Sequence, residues 1–223
     1  MALIKGLKDL TKTVDRSNEN SGDGARWLKV KNGESVKIRF MQELDPDSPN
    51  YNGKAGLGFI AVEHVNPKDY MKRALCTIED QGVCYGCEQN KANPKTGWQG
   101  KKRLYINVLV DDGKEDPYVA IMSQGTGPKS ATQEIVSYAV ETESITNVTW
   151  KLKRSGEGTT TEYSIIPLPT AKTEPLDYSK YELYDLEKVA VRDIPYSEQE
   201  EYFAGEVKEE EEAEAAPSSA VEW

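Results

Sequence analysis

The sequence predicts a mainly β chain built around one small antiparallel barrel, and three observations predict it. Five or six short segments alternate apolar and polar residues with a period of two, turn-forming residues separate them, and one segment alone has helical spacing. A length of 223 residues suits one sizeable domain with elaborations, or two small ones. Hydrophobic content of 37% is low for a chain folded throughout, so part of the length is expected to be tail or linker.

Residues 1–24 are polar, with Lys5, Lys8, Lys12 and Arg16 and the ending "SNENSGDG", and are expected to be a flexible arm. The segment "RWLKVKNGESVKIRFM" then predicts a hairpin. Leu28 and Val30 share one face of its first strand, Asn32-Gly33 supplies the turn, and Val36, Ile38 and Phe40 point inward from the second. A turn-rich loop follows (43–58), then a strand "FIAVEHV" that delivers His64. Residues 66–100 are expected to be irregular.

Strict alternation resumes in "KKRLYINVLVDDG". Leu104, Ile106, Val108 and Val110 are expected inside, with Arg103, Tyr105 and Asn107 on the opposite face. "YVAIMS" reads as the antiparallel partner across "DDGKEDP". "PKSATQEIVSYAV" carries Ile135, Val136, Ala139 and Val140 at helical spacing behind Pro128. "NVTWKLKRSGEGTTTEYSIIPL" is a last hairpin, with Val148, Trp150 and Leu152 inward and Lys151 and Lys153 outward. A five-stranded barrel of the OB type, whose face takes oligonucleotides, fits this series. The expected organisation is an arm (1–24), an OB-fold core (25–195) with an insertion at about 64–100, and a disordered acidic tail (196–223).

Formal net charge is −10, but its distribution is uneven. Residues 196–223 hold ten acids against Lys208, so the tail is a polyanion and the body is near neutral. No apolar stretch is long enough to span a membrane, and the N-terminus lacks a signal-peptide core. A cytosolic location is therefore expected, where three cysteines favour thiolates over disulfides.

All three cysteines and the single histidine fall between 64 and 87, as His64-x11-Cys76-x7-Cys84-x2-Cys87. Four donors of this kind make a closed tetrahedral zinc set, with no open position for a reacting water. One structural Zn2+ per chain is expected, clipping a loop too poor in apolar residues to hold itself by burial. A Cys-x-x-Cys redox pair is the alternative, but that motif expects a strand–helix junction, and this stretch is rich in Gly and Asn. A zinc deaminase needs His-x-Glu and Pro-Cys-x-x-Cys. Here Asn66 and Val83 stand at those places, so deaminase chemistry is excluded.

Basic residues with aromatics among them recur on the non-core side of the predicted strands: Trp27, Lys29, Lys31, Lys37, Arg39, Arg103, Tyr105, Lys151 and Lys153. Loops add Lys68, Tyr70, Lys72, Arg73, Lys95, Trp98, Lys101 and Lys102. Alternating lysine usually marks a solvated strand face. Repetition over several strands, with aromatic neighbours, points instead to a single-stranded nucleic acid, whose phosphates meet cations and whose bases stack on rings.

The order of features resembles the zinc-containing single-stranded-DNA-binding proteins of T-even bacteriophages. The residues carrying the resemblance are the His before three Cys ending in Cys-x-x-Cys, the strand "KKRLYINVLV", the later "EYS" and the acidic tail. It implies an OB fold with a zinc subdomain, His64, Cys76, Cys84 and Cys87 as ligands, and Tyr105, with Tyr70, as base-stacking residues. The Cys76–Cys84 interval is shorter than in that family, and the arm is less basic.

The function expected is non-enzymatic coating and protection of single strands in phage DNA replication, recombination and repair, in the cytoplasm of a bacterial host. The protein is expected to be a monomer off DNA. Its tail, ending in Trp223, is expected to recruit phage or host replication and recombination proteins. The alternatives are a zinc-ribbon transcription or RNA-binding factor and, on Asp111, Asp112, Glu115 and Asp116, a metal-dependent nuclease. Those four acids read better as a hairpin turn.

Overall fold

The computed structural model describes residues 24–168 and 176–204. Among them, seven strands form one antiparallel sheet: β1 (Ser35–Phe40), β2 (Phe59–Asn66), β3 (Asp69–Leu75), β4 (Lys101–Asp111), β5 (Tyr118–Gly125), β6 (Thr149–Ser155) and β7 (Glu162–Leu168). The α-helices of the described residues are α1 (Ile78–Gln81), α2 (Tyr85–Ala92), α3 (Thr132–Thr142), α4 (Leu186–Val189) and α5 (Tyr196–Ala204).

The long strand β4 organises the sheet. One edge pairs with β5 through eight registered positions, Arg103↔Gly125 to Val110↔Tyr118. The other edge is shared: β2 takes its first half (Phe59↔Tyr105) and β1 its end (Phe40↔Val108). From β1 the sheet continues to β6 and β7. Among the described residues no ladder joins β7 back to β5, so the seven strands form an open sheet where the sequence predicts a small barrel of the OB type.

Alternation sorts the residues of β4 as predicted on one side. Leu104, Ile106, Val108 and Val110 are buried with Ile38, Phe40, Met122, Trp150, Leu152 and Ile165, and α3 covers them with Ile135. Val136 and Val140 of the same helix stay exposed. The acids after β4 form the turn to β5: Asp111 and Asp112 accept from the N–H groups of Gly113 and Lys114, and Glu115 pairs with Arg26.

Three expectations are corrected. Residues 27–31 do not make a hairpin with β1; Trp27 bridges Ile121 of β5, and Gly33, at φ +79°, turns the chain into β1. Residues 66–100 are not irregular, since they supply β3, α1 and α2. The tail does not begin at 196, because 196–204 fold as α5; residues 205–223, with Trp223, lie outside the described residues. Among the described residues no helix is long and apolar enough to cross a membrane.

Candidate functional site

Strand β2 carries His64 inward, and its hairpin partner β3 leads straight to Cys76. Gly82, in the left-handed region at φ +73°, ends α1 and turns the chain into Cys84, the N-cap of α2. Cys87 follows in the first turn of that helix. The ligating atoms of His64, Cys76, Cys84 and Cys87 all lie within 4.8 Å of one another. Cys87 Sγ is 3.5 Å from Cys76 Sγ and 3.4 Å from His64 Nε2. A tetrahedral ion with bonds of about 2.0–2.3 Å separates its donors by roughly 3.5–3.8 Å, so the four residues could hold a metal ion.

The histidine is set for this role. A carbonyl can only accept, so the 2.7 Å contact between His64 Nδ1 and the Trp98 oxygen fixes the proton on Nδ1. The lone pair of Nε2 then faces the thiols. Burial pushes the Cys87 thiol up to about 12, helped by its thiol neighbours, and raises Cys76 as well. Burial also acts upward on Cys84, but N–H groups of Cys87 and Thr77, together with the Cys76 and Cys87 thiols, outweigh it and leave this thiol below its ordinary value. Ionising all three together requires a positive charge among them.

The expected nucleic-acid residues separate into distinct groups. Tyr105 is fully buried, which corrects its assignment to the surface. Its hydroxyl donates to Glu63 Oε2 at 2.8 Å, and its ring meets Trp27 and Phe59 at 6.2 and 6.0 Å. Burial and Glu63 raise its pKa. The cover is residues 184–191: Leu186, Ala190 and Val191 pack on Tyr105, Ala61 and Ile121, while Asn107 exchanges bonds with the Tyr184 backbone. Arg103 is also engaged, to Ser123 Oγ and near Glu63.

The same face of the sheet is bare further along. Register places Lys37 directly opposite Lys151 and Ser35 opposite Lys153, with Ile166 beyond Lys151 on β7. Lys37, Lys151 and Lys153 are exposed, and Ile166 is 54% exposed. Among the described residues none of these lysines enters an ion pair, although Asp111 lies across from Lys37 on β4. Arg39, two positions along, is half-buried; burial lowers its pKa, and Tyr178 and Tyr181 beside it oppose that. These two tyrosines come from a segment without period, so no sequence signal ties them to Arg39.

Tyr70 is 74% exposed on the β2–β3 hairpin, while Lys72 donates to the Tyr202 carbonyl at 2.8 Å and Arg73 is half-buried. Trp98 is half-buried, edge-on to Tyr85 and Phe203. Lys101 and Lys102 are exposed at the start of β4, as are Lys29 and Lys31 before β1. Comparison with protein families, with characterised proteins and with solved structures finds no match.

Proposed function

We propose that this chain is a sequence-non-specific single-stranded-DNA-binding protein, coating and protecting strands in phage replication, recombination and repair. The observation that carries the reading is the cationic ladder across β1 and β6. Like charges directly opposite one another in a sheet are destabilising, and Lys37 and Lys151 stand so without an ion pair among the described residues. A phosphate backbone laid along the ladder removes that repulsion. Ile166 and the tyrosines beside Arg39 offer apolar and aromatic surface to the bases.

Topology supports the OB reading. Strands β5-β4-β1-β6-β7 run in the order of a five-stranded, partly open Greek-key barrel, with α3 between β5 and β6. Residues 184–191 close over β4 and β5, so the proposed strand path crosses β1 and β6 instead. Exposed Tyr70 extends it toward the cysteine subdomain.

His64, Cys76, Cys84 and Cys87 hold one Zn2+ in this reading, as a structural clip without an open position. Segment 205–223 serves as the recruiting tail. The test is titration of single-stranded and duplex oligonucleotides against salt. Lys151→Thr and Lys153→Thr are each expected to lower single-strand affinity equally for all sequences. Each should also shallow the salt slope by about 0.7 for every phosphate no longer neutralised. Lys151→Thr is further expected to raise stability by roughly 0.2–1 kcal/mol, since the opposed charge is gone. Unchanged affinity in both variants overturns the assignment, and affinity that follows base sequence favours a zinc-ribbon factor.

A further inference from the structure

The described residues contain an open strand edge set in an apolar groove. Strand β2 pairs with β4 over Phe59–Glu63, but β3 joins its other side only from Glu63 onward. Just before that point, Cys76 N–H donates to the Val62 carbonyl at 2.9 Å. Val62 therefore turns its backbone away from β4, and Ile60, two residues earlier, does the same. Among the described residues no strand lies against that edge at Ile60.

The edge opens into a groove of about 750 Å3. Tyr51, Ile60, Val62 and Ile78 line it, and each is more than a third exposed. Its rim carries Glu79 and Asp80 from α1, Glu187 from α4 and Asp193. Among the described residues no basic side chain lines it. Four carboxylates repel a polyanion, so this is not a nucleic-acid surface.

A bare edge gives main-chain hydrogen bonds, the apolar lining accepts alternate side chains, and the acidic rim selects their charge. We propose that this groove is a docking site for an extended segment of another protein, alternating apolar and basic residues, which adds as a strand to β2. Charge complementarity with the rim decides for that occupant.

The test uses the full chain and an eight-residue peptide of alternating lysine and valine, blocked at both ends, with a glutamate–valine peptide as control. Saturable binding of the lysine peptide alone is expected, with at least a tenfold loss in Glu79→Lys/Asp80→Lys. Independently of any variant, the amides of Ile60 and Val62 should gain protection from hydrogen exchange when the lysine peptide binds. Equal binding of both peptides overturns the proposal, as does binding that leaves those two amides unprotected. It also fails if they are already protected without peptide. Loss of that protection on deleting residues 1–23 would identify the chain's own arm as occupant, and dependence on protein concentration a second copy.

Discussion

Tyr105 is held by two different kinds of interaction. Its ring packs among Trp27, Phe59 and the 184–191 cover, while its hydroxyl satisfies one oxygen of Glu63, a carboxylate only 2% exposed. The other Glu63 oxygen has no hydrogen-bond partner among the described residues. Removing the hydroxyl leaves that buried carboxylate without its hydrogen bond, with Arg103 3.8 Å away. Tyr105→Phe is expected to cost about 1–3 kcal/mol in urea unfolding. Single-strand affinity in the same variant should not change, because the ring is packed. A loss of affinity with full stability would return Tyr105 to the binding surface. Period-two alternation tells correctly that Tyr105 and Leu104 face opposite ways. It cannot tell that both faces are covered, because the cover lies some eighty residues later in a stretch without period.

At the level of elements, the grouping of His64 with the three cysteines depends on how closely α2 lies on β2. A Cβ built on Gly86 would stand 2.2 Å from His64 Cγ and 2.5 Å from its Cβ. These are ring and stem atoms of a buried side chain, which cannot swing aside. Gly86→Ala must therefore part helix and strand, and His64 leaves the three thiols. For the Zn2+ proposed above, release to a chromogenic chelator is expected at least ten times faster than from the parent chain. The spacing of ligands is legible because Cys-x-x-Cys and a lone histidine are rare and local. The helices around them are not, since α1 and α2 are short and polar, and what sets them is not a hydrophobic stripe but hydrogen bonds: Thr77 donates to the Val83 carbonyl and Gln199 accepts from the Tyr85 N–H.

For the whole molecule, the decisive element is the last one described, α5. Helix α5 is acidic and by composition belongs to the tail, yet it is latched to the cysteine subdomain. Gln199 is 1% exposed; its oxygen accepts from the Tyr85 N–H, and its nitrogen donates to the Leu75 and Ile194 carbonyls and to Thr77 Oγ1. Phe203 stacks on Tyr85 at 5.9 Å. Ending the chain after Ala204 is expected to leave the urea midpoint unchanged and, by removing a competitor for phosphate, to tighten single-strand binding at low salt. Ending it after Pro195 should lower stability by several kcal/mol, on the order of one lost aromatic core residue plus a buried amide. Equal midpoints for the two truncations would mean that α5 contributes nothing to the fold.

The cover over Tyr105 also sets a timetable. Strand β5 ends at Gly125, and Val191 is made sixty-six residues later, about 3–13 s at ~5–20 residues per second. Until then Phe59, Tyr105 and Ile121 lack their second layer, so a chain ended before residue 184 is expected to expose them and to bind an apolar dye that the full chain does not. The segment that shields this face is thus the last part of it to be made.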